Sequence, residues 1–236
     1  EGHGRAKLGD RCPAFPFVLV SPLLGTDQDW DMAKLERLLD HAADVLQAVR
    51  AGRSPEPALA AVPADARAGA QAIAFHALRW LGTALALRER LAERTPPPPV
   101  DALLLTALAQ LWPVDAPPYA DHVLVDQAVR CAQRRAPAAA AFINAVLRRC
   151  ARERRTLAVA VAQQPQAAWN HPAWWIERLR HDWPQQWQAL LAAANLRPPM
   201  MLRVNARRGD AAGYVRRLAD ERRAAVAIGS HAVLLA

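Results

Sequence analysis

Apolar residues recur at intervals of three and four along most of the chain, which is the spacing of an amphipathic helix. The clearest stripe lies in residues 31–51 and predicts one helix. After a proline-containing loop, residues 65–94 predict a long helix in which Gly82 is a candidate break. Four consecutive prolines within residues 95–100 then predict an extended connection, because proline lacks an amide donor.

The next segments are also helical. Residues 101–112 are almost entirely apolar, which is typical of a helix surrounded by others. Residues 120–135 resume the amphipathic pattern, and Pro137 is placed to begin the helix that follows. Because no alternating strand pattern occurs up to Gln164, this part of the chain predicts an all-α bundle.

The pattern changes after residue 196. Two further helices are predicted within 171–196, and the remainder has the order β-α-β-β, with strands at 200–205, 224–229 and 231–236 and a helix at 210–222. The predicted fold class is therefore mainly α, a helical bundle followed by a small α/β subdomain that looks truncated at Ala236. We predict four parts. Residues 1–31 are an N-terminal extension outside the main fold, and residues 32–164 are the bundle. Residues 165–199 are a helical connector, and residues 200–236 are the start of the α/β subdomain.

The net charge of the chain indicates which kind of molecule it binds. Lys and Arg number 30 against 22 Asp and Glu, giving a formal charge of +8 and a pI near 10.6. This excess favours a polyanion. It also fits a GC-rich genome, because Lys7 and Lys34 are the only lysines and alanine and proline are abundant. No apolar run reaches the roughly 20 residues of a membrane-spanning helix, and three unpaired cysteines indicate a reducing setting, so we expect a cytoplasmic protein.

The stretch FINAVLRRCARERR, residues 142–155, combines an apolar face with five arginines. On a helical wheel one face carries Ile143, Val146, Leu147 and Cys150, and the opposite face carries Arg148, Arg152 and Arg155. Arg149 stands to one side, and Arg154 turns back toward the apolar face, which predicts that the helix ends there. Stacked arginines repel one another, but phosphates lying across them would remove that cost. A solvated helix face is the alternative interpretation.

Other residues are weaker candidates. Arg203 lies in a predicted strand, and Arg207 and Arg208 follow it, so RNA contact and a solvated edge are both open there. Tryptophan is dense between residues 169 and 187, but the i, i+4 spacing of Trp183 and Trp187 favours a core role over base stacking. The histidines show no metal-ligand spacing, so we predict no metal site.

Four motifs carry a resemblance to known families. FINAVLRR (142–149), preceded by APPYADHVLVDQAV (116–129), resembles the end of the NusB-type RNA-binding helical domain. HPAWWIERL (171–179) and RPPMMLRVN (197–205) resemble the connecting region of the RsmB (Sun, Fmu) family of 16S ribosomal RNA cytosine-5 methyltransferases. The resemblance covers roughly residues 35–236. Asp126-Gln127 stands where family members often have an acidic residue next to alanine, a minor departure.

The resemblance implies an RNA-binding region that positions rRNA for a catalytic domain. It implies S-adenosylmethionine as the cofactor of the full-length protein, with rRNA and the protein's own C-terminal catalytic domain as partners. The candidate RNA-binding residues are then Arg148, Arg149, Arg152, Arg155 and Arg203.

We expect no cofactor and no catalytic residue in this chain. It lacks a glycine-rich cofactor loop and a Pro-Cys nucleophile motif, and Cys131 and Cys150 fall on inward helix faces. The chain alone is therefore predicted to be inactive. The alternative functions are an antitermination-type RNA-binding module without enzymatic activity, and a domain-docking surface that the arginines merely solvate.

Overall fold

The computed structural model of the protein describes residues 32–196 and 198–235. The predictions made for residues 1–31, including the extension and Cys12, lie outside these described residues. The helices of the first part are α1 (Met32–Arg50), α2 (Pro55–Ala60), α3 (Ala64–Arg79), α4 (Leu81–Leu91), α5 (Pro98–Gln110), α6 (Asp121–Arg135) and α7 (Ala140–Val161), with a 3₁₀ turn at Pro137–Ala139 before α7. They are followed by α8 (Pro165–Trp169), α9 (Ala173–Asp182), α10 (Trp187–Asn195), β1 (Met201–Arg203), α11 (Ala211–Asp220), β2 (Ala225–Ile228) and β3 (Ala232–Leu235).

Helix α5 forms the centre of the bundle, as its apolar sequence predicted. Every residue from Val100 to Gln110 is buried, and α5 contacts α1, α3, α4, α6 and α7. The prediction of an extended segment through residue 100 is wrong at its end, because Pro98 and Pro99 occupy the first turn of α5. A first-turn amide has no partner within its helix, so proline is tolerated there.

A buried carboxylate near the start of α5 is held by two arginines. The Asp101 side chain is 3% exposed. Its Oδ2 accepts a hydrogen bond from Arg50 Nη1 at 2.6 Å, and its Oδ1 lies 3.5 Å from Arg88 Nε. A charge taken out of water needs such partners, so removing either arginine would leave the buried Asp101 charge less well compensated.

The break in the long predicted helix lies at Trp80, and Gly82 lies inside α4. The role of Gly82 is to allow close approach, because a Cβ there would lie 2.2 Å from the backbone oxygen of Gln166 in α8. The contact continues at Thr83, whose amide donates to Asn170 Oδ1 at 2.8 Å. A glycine with no side chain is what permits this packing.

Helices α6 and α7 form an antiparallel pair joined by a short turn. The prediction that α7 ends near Arg154 is wrong, because Leu157 and Val161 continue its buried face and the helix runs to Val161. Arg154 turns toward α6, where its guanidinium pairs with Asp121. A polar residue on the inner side is thus satisfied by an ion pair and does not end the helix.

The last part of the chain confirms the predicted order β-α-β-β. The strand order is β1-β3-β2, and β3 is antiparallel to both neighbours, with Leu202 opposite Val233. Asp210 caps α11 by accepting from the Gly213 amide at 2.7 Å. Ala211, Leu218 and Val233 form a small core of their own. The architecture confirms a mainly helical fold with a small sheet, while our domain boundaries stay a prediction.

Within residues 32–196 and 198–235, no helix is long and apolar enough to cross a bilayer.

Candidate nucleic-acid interface

Helix α7 has the two faces that its sequence predicted. Ile143, Leu147 and Cys150 are fully buried, and Val146 is almost so. Arg148, Arg149, Arg152 and Arg155 are all exposed. Burial of the apolar side fixes the rotation of the helix, so the structure places these four candidate residues together on the outside of the bundle.

Few carboxylates lie near the four outer arginines of α7. Arg149 Nε lies 3.1 Å from Glu153 Oε2, and Arg152 Nη2 lies 3.5 Å from Glu153 Oε1, so one carboxylate serves two guanidinium groups. Arg148 Nε donates to Asn144 Oδ1 at 2.9 Å, which is a neutral partner. Arg155 has no carboxylate within 4.0 Å among the residues that the structure describes. We call Arg148, Arg149, Arg152 and Arg155 the α7 arginine face.

Other arginines of the bundle are used differently. They join helices through ion pairs, namely Arg37 with Asp65, Arg50 and Arg88 with Asp101, Arg134 with Glu36, Arg135 with Asp40 and Asp44, and Arg154 with Asp121. Arg135 shows the contrast most clearly. Its side chain is 14% exposed and donates to Asp40 at 2.8 Å and to Asp44 at 2.6 Å, whereas the Arg152 side chain is 69% exposed. The α7 arginine face is therefore a place where several arginines without a carboxylate of their own lie side by side on one helix.

A groove between α6 and α7 runs along this face, and we call it the α6–α7 groove. It is lined on α6 by Asp121, His122, Val125, Asp126 and Val129, and on α7 by Asn144, Arg148, Ala151 and Arg152. Its two carboxylates have arginine partners of their own, because Asp121 pairs with Arg154 and Asp126 lies 2.9 Å from Arg130 Nε. Neither carboxylate of the groove therefore pairs with Arg148 or Arg152, and Arg148 has a neutral partner only.

The α6 wall of this groove was not predicted from the sequence. His122 and Asp126 are exposed side chains that were not candidates. The available signal was the short connection after Arg135, because a short connection between two helices makes them antiparallel neighbours. That geometry places the start of α6 beside the middle of α7.

The α/β part carries a second basic surface around Arg203. Arg203 is exposed on β1, and a shallow pocket there is lined by Arg203, Val204, Asn205, Ala206, Arg207 and His231. The loop is ordered locally, since Asn205 Oδ1 accepts from the Arg207 amide at 3.0 Å. Within the described part of the chain, no carboxylate lies within 4.0 Å of Arg203. Arg203 is therefore available to an anion, on a surface separate from the α7 arginine face.

The tryptophans do not all follow the core prediction. Trp183 is 54% exposed and Trp174 is 68% exposed, so the predicted core role is wrong for Trp183. Trp187 is partly buried, with its ring centroid 5.0 Å from that of Trp169 and with the Arg180 guanidinium 5.4 Å above it. The reason is that α9 and α10 bury little, with Ile176 and Leu191 as their buried residues.

The cysteines of the bundle are structural. Cys131 and Cys150 are both buried, as predicted. Burial raises the pKa of each thiol to about 12, so both stay protonated near neutral pH and neither is an activated nucleophile. Among the described residues no group of three or more His, Cys, Asp or Glu side chains could hold a metal ion.

Two family models match the chain in succession. The model of the NusB family matches residues 31–152, which is more than half of the chain, and the chain therefore belongs to the NusB family. The model described as the Methyltr_RsmF/B-like, ferredoxin-like domain matches residues 171–236. The first match contains the α6–α7 groove, and the second contains Arg203.

Similar curated proteins have consistent names. "Ribosomal RNA small subunit methyltransferase B" of Pseudomonas putida is 36% identical over 154 residues, which are 64% of this chain and 35% of that protein. The protein of the same name from Pseudomonas syringae pv. tomato is 36% identical over 141 residues, covering 58% and 31%. "Probable ribosomal RNA small subunit methyltransferase B" of Coxiella burnetii is 32% identical over 139 residues, covering 57% and 32%. The chain thus spans about a third of the length of these relatives.

Proposed function

We propose that this chain is the RNA-binding N-terminal region of an S-adenosylmethionine-dependent 16S rRNA cytosine-5 methyltransferase. In this role it binds rRNA and positions the target for a catalytic domain outside these residues. The observation that carries the proposal is the succession of a NusB bundle and an RsmF/B-like ferredoxin-like unit within one chain. The relatives named as rRNA small subunit methyltransferases support it.

The charge distribution supports RNA as the ligand. Among the four exposed arginines of α7 only Arg149 and Arg152 contact a carboxylate, that of Glu153, and self-repulsion disfavours this arrangement unless an anion lies across it. Guanidinium groups hold phosphate oxygens with paired hydrogen bonds, and each neutralised phosphate releases counterions. Arg203 on β1 offers a further phosphate contact in the α/β part.

We assign no S-adenosylmethionine site to the residues that the structure describes. The loop between β1 and α11 contains one glycine, Gly209, and a Cβ there would meet nothing within 4 Å. One glycine does not make a glycine-rich cofactor loop. The thiols of Cys131 and Cys150 are buried and protonated, so we assign binding and positioning to this chain and the methyl transfer to the rest of the proposed protein.

An antitermination-type RNA-binding module is the second candidate function. The NusB match taken alone favours it equally. The match of residues 171–236 to the RsmF/B-like domain favours the methyltransferase, because a free-standing factor needs no such unit. We propose accordingly that rRNA and the catalytic domain are the partners and that the protein acts in the cytoplasm.

The proposal is tested by measuring RNA binding of the 236-residue chain. Fluorescence anisotropy with labelled fragments of small-subunit rRNA should show an affinity that falls linearly with salt on a double-logarithmic plot. Fragments of large-subunit rRNA with equal length serve as the control and should bind more weakly. Absence of binding at low salt, or equal binding of both sets at every salt concentration, would contradict the proposal.

A further inference from the structure

The α6–α7 groove combines an apolar floor with a polar rim. Its volume is about 500 Å³, within the ~300–1,000 Å³ range of small-ligand pockets. Val125, Val129 and Ala151 supply the apolar surface between the helices. Such a floor has no use in holding phosphates, which need only the charged rim. The groove therefore offers more than a phosphate-binding surface would require.

The free polar groups of the groove are mostly donors. Asn144 uses its Oδ1 to accept from Arg148 Nε, so the Asn144 amide nitrogen and the terminal nitrogens of Arg148 are left to donate. Arg152 adds donors, because its contact to Glu153 is 3.5 Å long. The acidic groups are occupied, since Asp121 pairs with Arg154 and Asp126 with Arg130. The matching ligand presents acceptors and a flat apolar face.

We infer that the α6–α7 groove binds one unpaired nucleotide of the RNA. Its base lies on Val125, Val129 and Ala151, and its phosphate contacts Arg148 and Arg152. The inference rests on the proposed function and names the form of RNA that this site takes. A base has a planar apolar face and carbonyl or ring-nitrogen acceptors at its edge, which are the features that floor and rim require.

A double helix does not fit this site. In A-form RNA the bases are stacked and paired inside, and the deep major groove is closed to side chains. The backbone of a duplex reaches the exposed arginines but leaves the apolar floor empty. An acidic peptide would also satisfy the arginines, yet its carboxylates need no planar apolar floor, and we favour the nucleotide.

The test is to fill the groove without changing charge. Ala151→Trp places a large side chain on the floor, and Ala72→Trp puts the same side chain on an exposed position of α3, outside the groove and the α7 arginine face. Both variants of the 236-residue chain are titrated with an RNA hairpin that has an unpaired loop and with a perfect duplex of equal length. Ala151→Trp should lower affinity for the hairpin by about tenfold, the loss of roughly one base contact. The affinity of Ala151→Trp for the duplex should be unchanged, and Ala72→Trp should bind both RNAs as the unsubstituted chain does.

The outcomes separate the inference from the proposed function. If the unsubstituted chain binds the hairpin with steep salt dependence but Ala151→Trp binds equally well, the groove assignment is wrong and the proposed function stands. If the unsubstituted chain binds no RNA at low salt, both fail. If Ala151→Trp abolishes the binding of an acidic peptide but leaves RNA binding unchanged, the groove takes a protein partner and the inference is wrong.

A crosslinking measurement covers the case in which Ala151→Trp does not fold. The unsubstituted chain is irradiated with a hairpin carrying 4-thiouridine in its loop, and the crosslinked peptides are identified by mass spectrometry. Crosslinks should fall within residues 121–129 and 144–152, which line the groove. Crosslinks confined to other parts of the chain would contradict the inference.

Discussion

Arg154 on α7 is bound to Asp121 at the start of α6, while its neighbour Arg155 points away from the bundle. The Arg154 side chain is 12% exposed. Two consecutive arginines in the same stretch thus have opposite roles, one joining two helices and the other carrying free charge. The difference comes from the 100° rotation between successive helical residues.

The first prediction concerns stability. Arg154→Gln should lower the free energy of unfolding by about 1–2 kcal/mol, because it removes a partly buried, charge-assisted contact between two helices. Urea unfolding followed by circular dichroism measures the change. Arg155→Gln is the matched control and should stay within about 0.5 kcal/mol of the unsubstituted chain, as exposed positions do. Equal losses in both variants would mean that the Arg154–Asp121 contact contributes nothing.

The second prediction concerns RNA binding by the α7 arginine face. Replacing Arg148, Arg152 and Arg155 together by glutamine should weaken binding to small-subunit rRNA and make it less dependent on salt. Each lost phosphate contact lowers the steepness of the salt plot by roughly 0.7–0.9, so three contacts correspond to about 2–3. The measurement is the anisotropy titration repeated at several salt concentrations.

The control for this triple variant keeps the same change in net charge. Arg53, Arg79 and Arg94 also have no carboxylate within 4.0 Å in the described part of the chain, and they lie elsewhere in the bundle. Their replacement by glutamine should lower the salt dependence much less. An equal effect of both triples would show that binding follows net charge alone and that the α7 arginine face is not the interface.

The longer helices of the bundle were predictable because each one buries an apolar stripe, and burial leaves a periodic trace in the sequence, whereas the proline-containing segment predicted as a loop forms the short helix α2. The two faces of α7 followed from its wheel for the same reason, and the apolar run of α5 predicted its central place. Gly82 shows where this reasoning stops. Its function is the contact with the backbone of Gln166, 84 positions further along the chain, and local pattern carries no information on such a contact.

The pairing of arginines was not predictable from one sequence. Arg135 binds Asp40, which is 95 positions away, and only the packing of α6 against α1 brings them together. The prediction that Trp183 is buried was wrong, because its i, i+4 spacing indicated burial but α9 and α10 have little to pack against. Local spacing predicts which face is apolar, whereas the partner that covers it is a property of the whole fold.

The third prediction concerns the buried thiols. Because burial raises the pKa of Cys131 and Cys150 to about 12, neither should react with iodoacetamide at pH 8 in the folded chain. A Cys12→Ser background removes the third thiol, and mass spectrometry counts the modified cysteines. Both should react once urea unfolds the protein. Rapid modification of either thiol under native conditions would contradict its buried, protonated state.

The last prediction concerns acid stability through His76. Its Nε2 lies 2.8 Å from the Trp112 carbonyl and 3.2 Å from that of Ala109, and since carbonyls only accept, this nitrogen carries the hydrogen. Burial lowers the pKa of His76 below its ordinary value of 6.5. Below pH 6.5 the unfolded chain therefore binds a proton that the folded chain does not, and the free energy of unfolding falls as pH falls.

The measurement compares the unsubstituted chain with His76→Gln, whose amide can still donate to the same carbonyls. The difference between their free energies of unfolding should shrink as pH falls from 7 to 5, because the glutamine variant has no imidazole to protonate. His122→Gln, which removes an exposed imidazole, is the matched control. A difference that stays constant over this range would show that the buried imidazole of His76 does not set the acid limit of the bundle.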